Sequence, residues 1–245
     1  MKKTFCALAL AGTAVAIVPL AQADGTSEWE GIPGEFSAYA TFVSDYTFRG
    51  ITQSDEGPAV QAGIDWNHDS GVYAGIWGSN VDFNDGDEAT IEIDYFAGYS
   101  TEIYDDLTMD IGASWYSYPG AANALDYDYY EIYASFEYDY GLATGGVGGA
   151  FTGDNFGGTG DAQYVNIFGS LPLPHDLTLS GHLGRQWVED NTNFGVPDYF
   201  EWQIGMDWEY EQFIFNLSYV DTNLNETYCA DGCDGKLVVG VSAGF

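Results

Sequence analysis

Basic residues are scarce in this chain. Its 245 residues include five Lys and Arg against 38 Asp and Glu, which gives a formal net charge of −33. A nucleic-acid partner is excluded because the phosphate backbone would be repelled. The acidic excess has two interpretations: a solvated surface that keeps the protein soluble, or an acidic lumen that attracts cations.

Long apolar runs are also lacking. After residue 23 no run is long enough to span a bilayer as a helix. The short apolar run at 5–20 follows the basic residues 2 and 3 and ends at the small-x-small site Ala21-Gln22-Ala23, a pattern typical of a cleaved signal peptide. We therefore predict export and a single-domain mature chain of 222 residues that starts at Asp24 and carries a formal charge of −35. The predicted division is a signal peptide at 1–23, a short periplasmic segment at 24–35 and a barrel at 36–245.

Cysteine is rare, with three residues in all. Cys6 belongs to the predicted signal peptide. Cys229 and Cys233 remain, and a close pair in an exported protein indicates a disulfide that closes a small loop. A metal site would need further Cys or His ligands nearby, and the sequence has none there.

What the chain does have is alternation of apolar and polar residues. From Phe36 to Arg49 the even positions are mostly apolar and the odd positions mostly polar, which predicts a strand with one apolar face. The pattern recurs in segments of about 10 residues, the length that a tilted membrane-spanning strand needs. Twelve strands are predicted, at 36–49, 59–68, 72–83, 90–100, 107–118, 129–138, 142–152, 162–171, 177–187, 199–210, 213–220 and 236–245.

The connections between these strands alternate between short turns and mostly longer loops. This asymmetry and the even strand count predict an all-β fold, a transmembrane antiparallel up-and-down β-barrel of about 12 strands with periplasmic termini. A soluble β-sandwich is the competing fold. It would not need the aromatic residues expected at both membrane interfaces, which here are Trp66, Trp77, Trp115, Trp187, Trp202 and Trp208.

A short turn at 68–71 sets the register of the second hairpin. If Asn67 pairs with Val72, Trp66 pairs with Tyr73, and Trp66, Tyr73 and Trp77 share the outer face.

Several segments resemble a known family. They are Ser44-Asp-Tyr-Thr-Phe-Arg-Gly-Ile-Thr-Gln-Ser54, Pro58-Ala-Val-Gln61, Ser70-Gly-Val-Tyr-Ala-Gly-Ile-Trp77 and Tyr116-Ser-Tyr-Pro-Gly120. They are similar to the TorF family of porins, a proteobacterial group also called Gcw_chp, and the similarity is specific over the first half of the chain. The resemblance implies an outer-membrane barrel assigned as a porin, with a poorly defined substrate.

In this barrel the charged residues of the inward face are the candidate site. We predict pore-lining positions near the external end for Arg49, Glu92, Glu131, Glu201 and Lys236, and positions nearer the middle for Asp45, Asp65, Asp94, Gln203 and Asp207. Charges that face a water-filled lumen determine the selectivity of porins. The alternative is a plugged interior in which Arg49 pairs with carboxylates such as Asp45 or Glu92 and locks a narrow barrel.

Other chemistry has weaker support. Arg185 has the parity of an outward residue that meets lipid phosphates, unless a bulge turns it inward. Ser180 and His182 share a face, but the sequence places no third group beside them, so no enzyme is predicted. The loop acids Asp85, Asp87, Glu88, Asp154 and Asp161 lack the spacing of a calcium loop. No cofactor and no metal are predicted.

The sequence thus predicts an outer-membrane channel for passive diffusion of small hydrophilic solutes, biased toward cations. The alternative is a closed barrel with a structural or adhesive role. The expected partners are outer-membrane lipid and lipopolysaccharide, small hydrophilic solutes or cations, and the barrel-assembly machinery, which would engage the terminal Phe245. A homo-oligomer is compatible with the pattern.

Overall fold

The computed structural model describes residues 32–84, 89–229 and 232–245. The predicted signal peptide at 1–23 and most of the segment at 24–35 lie outside these residues. The same holds for Asp85, Asp87 and Glu88.

Twelve antiparallel strands form a closed barrel. The ring closes where the first barrel strand, Glu35–Val43, pairs with the last, Lys236–Gly244, with Tyr39 opposite Gly244. The barrel strands are β1 (Glu35–Val43), β4 (Ala59–Asn67), β5 (Val72–Asn80), β6 (Ile91–Tyr104), β7 (Leu107–Ser117), β8 (Tyr129–Asp139), β9 (Thr144–Thr152), β10 (Ala162–Leu173), β11 (Leu177–Val188), β12 (Tyr199–Tyr210), β13 (Phe213–Thr222) and β14 (Lys236–Gly244). The predicted fold class and strand number are confirmed.

The alternation in the sequence becomes the two faces of the wall. On β4, for example, Val60 and Ile64 are 64% and 59% exposed, whereas Gln61 between them is 3% exposed. Closure removes the unpaired strand edges that an open sheet would leave. The apolar side chains therefore form the outer belt, and the polar side chains fill the lumen.

The connections differ between the two ends of the barrel. One end, the turn end, carries the short links at 68–71, 105–106, 140–143, 174–176 and 211–212, and both termini of the barrel. The other end, the loop end, carries L1 (44–58), L2 (81–90), L3 (118–128), L4 (153–161), L5 (189–198) and L6 (223–235). A small two-stranded sheet, β2 (Thr47–Phe48) with β3 (Ile51–Thr52), lies within L1.

The first barrel strand is shorter than predicted, because β1 ends at Val43. Asp45 and Arg49 therefore belong to L1 and not to a membrane strand, which corrects their predicted positions. The alternation does continue through residues 44–49, but it belongs to the small sheet. Its apolar side chains turn into the lumen, where Tyr46 packs against Trp77 with ring centroids 5.4 Å apart.

The register of the second hairpin differs from the prediction by one residue. Asn67 pairs with Tyr73, and Trp66 pairs with Ala74. The reason is a three-residue loop in which Gly71, at φ +94°, follows a tight turn whose hydrogen bond runs from its N–H to the carbonyl of His68. A shift of one residue exchanges the faces of a strand, so Tyr73 and Trp77 face the lumen and not the lipid.

Helical structure is limited to three short elements in the loops of the described part. They are a 3-10 turn at Asn123–Leu125, α1 (Asn191–Phe194) and α2 (Glu226–Cys229). None of the helices in the described residues has the length and apolarity needed to cross a membrane.

Candidate functional site in the barrel lumen

L1 folds into the lumen as a β-hairpin. The pairs Thr47 with Thr52 and Phe48 with Ile51 leave a two-residue turn at Arg49 and Gly50. Both turn residues have positive φ, +47° for Arg49 and +82° for Gly50, as a type I′ turn requires. Arginine is uncommon in this conformation, which suggests that its side chain has a role at the hairpin tip.

The Arg49 side chain reaches the opposite wall of the barrel. Its Nη1 and Nη2 donate to the two carboxylate oxygens of Glu131 on β8, each at 2.8 Å. Nη1 also donates to Gln186 Oε1 on β11 at 2.9 Å. The guanidinium lies 4.3 Å from the ring centre of Tyr164 on β10. Strands β8 to β11 lie across the ring from β1, so the hairpin spans the lumen.

This ion pair is buried, with Arg49 7% and Glu131 2% exposed. Burial alone would lower the pKa of the Arg49 guanidinium. The negative charge of Glu131 and the hydrogen bonds between the two groups offset that effect, and the net pKa is raised. Arg49 thus remains a permanent cation within the lumen. Its partner is Glu131 and not the predicted Asp45 or Glu92.

The apolar side of the hairpin packs against two walls. The Phe48 ring lies edge-on to Tyr116, with centroids 6.0 Å apart. Ile51 packs on the opposite side, against a buried cluster from L5, L6 and β12 that contains Val196, Tyr199, Leu224 and Cys233. The hairpin tip itself is tight, because a Cβ on Gly50 would lie 2.9 Å from Glu201 Cβ and 2.5 Å from Thr222 Cγ2.

Two neighbouring loops hold L1 in place. Asp82 N–H of L2 donates to the carbonyl of Gln53 at 2.8 Å, and Thr52 N–H donates to the carbonyl of Gly232 in L6 at 2.9 Å. Cys229 and Cys233 form the predicted disulfide within L6, which confirms that expectation.

A second ion pair lies at the base of L1. Lys236 Nζ lies 3.1 Å from Asp45 Oδ2 and 2.7 Å from Glu56 Oε1. Asp45 Oδ1 also accepts a hydrogen bond from Thr52 Oγ1 at 2.6 Å. The predicted charged residues Asp45 and Lys236 therefore meet each other, and they anchor the loop.

Aromatic side chains from L2, L3 and L4 cover the lumen beside the hairpin. Phe83 lies edge-on to Tyr118, Tyr127 and Phe156, with centroid distances of 5.6, 5.5 and 5.3 Å. Tyr127 stacks on Phe156 at 4.2 Å. This aromatic lid packs against the buried cluster that also contains Tyr46 of L1, so the lid and L1 lie side by side at the loop end of the lumen.

The predicted inward carboxylates near the loop end are all buried. Glu92 accepts a hydrogen bond from Tyr118 Oη at 2.8 Å. Glu201 accepts one from Tyr164 Oη and lies 2.8 Å from His182 Nε2. Asp94, predicted nearer the middle of the barrel, is the fourth residue of β6 and so lies at the same end, and its Oδ1 has no hydrogen-bond donor within the described residues. Side chains and not open solvent surround these groups in the lumen. A pore-lining role for them stays a prediction.

Asp65 and Asp207 lie closer to the turn end than predicted. Asp65 is the third residue from the end of β4, and Asp207 pairs with Thr178 near the start of β11. Asp207 accepts a hydrogen bond from Asn216 Nδ2 at 2.6 Å. Gln203 is on the same face of β12, between Glu201 and Asp207, and is buried.

Three lumen residues at the turn end were not among the predicted site residues. Tyr73 Oη donates to Asp110 Oδ1 at 2.8 Å and lies 2.8 Å from Tyr133 Oη. Strand parity already placed Asp110 and Tyr133 inward. Tyr73 was missed because the predicted register at 68–71 placed its side chain on the outer face. Gln186 and Tyr164, which hold Arg49, were also inward by parity, but nothing in the sequence connects them to L1.

The outer surface carries Arg185, which lies 4.7 Å from the ring centres of both Trp187 and Phe200. The alternative of an inward Arg185 is therefore wrong. In the described ranges, no group of three or more His, Cys, Asp or Glu side chains is placed to hold a metal ion.

The sequence matches a family model over residues 28–245, and that family is described as bacterial proteins of unknown function (Gcw_chp). The chain belongs to the Gcw_chp family. The finer assignment to the TorF group stays a prediction. The chain matches no curated protein.

Solved structures share the fold of this Gcw_chp protein. The KdgM porin superposes with a TM-score of 0.57 at 10% identity, covering 85% of this chain and 99% of the porin. The NanC porin gives 0.58 at 10% identity, covering 86% and 98%. A KdgM porin in complex with disordered oligogalacturonate gives 0.56 at 9% identity, covering 86% and 99%. At such low identity the similarity shows a common twelve-stranded porin fold.

Proposed function

We propose that this Gcw_chp protein is an outer-membrane channel for passive diffusion of small hydrophilic solutes, with a preference for cations. The observation that carries the proposal is the closed barrel with an apolar outer face and a polar lumen. An apolar outer belt suits lipid, and a polar interior is what a water-filled channel requires. In this orientation the loop end faces outside and the termini face the periplasm.

The charge of the lumen supports a preference for cations. The Lys and Arg side chains of the described lumen are Arg49 and Lys236, and His182 is paired with Glu201. The inward carboxylates include Asp65, Glu92, Asp94, Asp110, Glu131, Glu201 and Asp207. Both Arg49 and Lys236 are already paired with carboxylates. The unpaired charge in the lumen is therefore negative, which attracts cations and repels anions. A polyanion such as the oligogalacturonate named for the KdgM complex would be disfavoured here.

One observation favours the second candidate, a closed barrel with a structural or adhesive role. The L1 hairpin and the aromatic lid fill the loop end of the lumen. A channel must therefore either conduct through a narrow path beside the hairpin or move the hairpin.

Planar-bilayer recording of the purified full-length protein tests the proposal. We expect stepwise conductance and, in a KCl gradient, a reversal potential on the cation-selective side. Anion selectivity would contradict the acidic-lumen argument. Silence from well-folded protein, under conditions that also release L1, would favour the structural role.

A further inference from the structure

The wall residues that hold Arg49 make up a complete site for a guanidinium group. Glu131 accepts two parallel hydrogen bonds, Gln186 accepts a third, and the Tyr164 ring faces the cation at 4.3 Å. Tyr116 Oη also donates to Glu131 Oε2 at 3.2 Å, which orients the carboxylate. A carboxylate that accepts two parallel hydrogen bonds, next to an aromatic face, binds a planar guanidinium group better than it binds a simple ammonium group. All four side chains belong to barrel strands, so the site does not depend on L1 for its construction.

The hairpin that fills this site is structurally separate from the barrel. β1 pairs directly with β4 along their whole length, so the wall closes without β2 or β3. Across the described residues, the backbone of 45–57 hydrogen-bonds within the hairpin and to L2 and L6, not to a barrel strand. The hairpin could therefore leave without breaking the barrel ladder.

The fit of Arg49 in the site is imperfect. Its backbone has a positive φ of +47°, a conformation that is unfavourable for a residue with a side chain. Its buried Nε also has no acceptor among the described residues. A free guanidinium group would not carry the backbone strain and could turn to satisfy its third nitrogen.

We propose that Arg49 is a tethered ligand of this guanidinium site and that the hairpin, when Arg49 is bound there, plugs the lumen. Solutes with a guanidinium group compete with Arg49 for the site. The plugging and competition steps rest on the proposed channel function. Binding of a guanidinium group at the site does not depend on that function. Release of the hairpin uncovers Glu131, which holds Arg49, and Glu201, which lies against Gly50. The same movement therefore opens the path and exposes carboxylates that attract a cationic solute.

Binding is tested by thermal unfolding in detergent, with Arg49→Ala and the matched control Arg185→Ala, which removes an outward arginine. Arg49→Ala should melt at a lower temperature, because Glu131 is left buried without its partner. Ethylguanidinium, at a concentration too low to denature, should restore most of that loss, while ethylammonium should not. The melting temperature of Arg185→Ala should not rise when ethylguanidinium is added. If ethylguanidinium and ethylammonium raise the melting temperature of Arg49→Ala equally, or not at all, the guanidinium site is overturned.

Arg49→Lys covers the case in which Arg49→Ala fails to fold. Lysine keeps the positive charge but loses the two parallel hydrogen bonds to Glu131. The melting temperature of Arg49→Lys should therefore lie between those of wild type and Arg49→Ala, and ethylguanidinium should still raise it.

Plugging is tested by conductance with a tether. Ser54 and Asp82 form a parallel bridge between L1 and L2, where Ser54→Cys with Asp82→Cys can form a disulfide. Arg49→Ala should raise the current at least about tenfold, as expected when a buried charge pair is lost. Ethylguanidinium should raise the wild-type current but not that of the oxidised double-cysteine variant, and reductant should restore the response. Wild type treated with reductant controls for the Cys229–Cys233 disulfide.

Equal currents from oxidised and reduced double-cysteine protein in ethylguanidinium, or from Arg49→Ala and wild type without it, would overturn the plug. If no variant conducts, the channel function fails, and the thermal measurement still decides the guanidinium site.

Discussion

At the scale of single residues, the position of L1 depends on the close approach of its tip to the wall. Gly50 lies against Glu201 and Thr222, and its φ of +82° completes the type I′ turn. A larger residue would meet two obstacles, backbone strain and a steric clash. These can be separated, because Gly120 in L3 has a φ of +99° but a Cβ there would meet no heavy atom within 4 Å.

We expect Gly50→Ala to destabilise the protein by about 2–4 kcal/mol, from backbone strain together with overpacking. Gly120→Ala should lose only about 1 kcal/mol, from backbone strain alone. Chemical unfolding of the two variants in detergent measures the difference. Equal losses would mean that the hairpin tip does not lie against the wall.

At the scale of elements, aromatic side chains in the lumen lie over glycines on neighbouring strands. In each of five cases the aromatic residue and the glycine are direct cross-strand partners, and a Cβ on the glycine would clash with the aromatic side chain. The absence of a glycine side chain lets the ring lie flat on the wall, which keeps its apolar face out of water. The pairs are Tyr39 with Gly63, Tyr73 with Gly98, Phe96 with Gly75, Tyr133 with Gly112 and Phe168 with Gly146.

Adjacent glycines on β9 test this arrangement. Gly146 faces the lumen, where a Cβ would clash with Phe168 Cζ, whereas on the outer face a Cβ on Gly145 would meet its nearest atom at 3.5 Å. Gly146→Ala should lower stability by about 1–3 kcal/mol, because Phe168 must leave its rotamer and the carbonyl oxygen of Phe136, 2.5 Å from the added Cβ, must shift. Gly145→Ala should change it by less than about 1 kcal/mol. The unfolding midpoints of both variants give the comparison, and a larger loss for Gly145→Ala would contradict it.

The strands were predictable because lipid and lumen impose opposite polarities on successive residues. By that rule Glu92, Glu131 and Glu201 lie on the lumen face, and all three are buried in the structure. The rule failed at residues 44–49, since period two describes any two-faced strand and does not say to which sheet the strand belongs. It failed again at Tyr73, where one residue in a turn decides the face of a whole strand.

The candidate site was less predictable than the fold. Arg49 stood out as a rare cation, but its partners Glu131, Gln186 and Tyr164 lie on strands far away in sequence. The contacts form only because L1 folds across the ring. That fold depends on packing among L1, L2, L5 and L6, and local alternation carries no information about it.

At the scale of the whole molecule, the last strand closes the barrel. The backbone of Phe245 exchanges hydrogen bonds with that of Ala38, at 2.8 and 3.2 Å, and so continues the seam between β14 and β1. Its side chain is 64% exposed, so the ring adds little to the packing of the folded barrel. We infer that the ring acts before folding is complete, as a feature that the assembly machinery recognises.

Phe245→Ala should therefore separate assembly from stability. The variant keeps the backbone hydrogen bonds, so after refolding in detergent its melting temperature should stay within a few degrees of wild type, about the shift that 1 kcal/mol produces. In cells, less of the protein should reach the outer membrane as folded barrel, measured by heat-modifiable mobility in membrane fractions. Leu237→Ala is the control, because Leu237 is on the same strand, faces outward and is 68% exposed. If both variants assemble equally well, the terminal ring is not a recognition element, and the seam at β1 and β14 forms from backbone pairing alone.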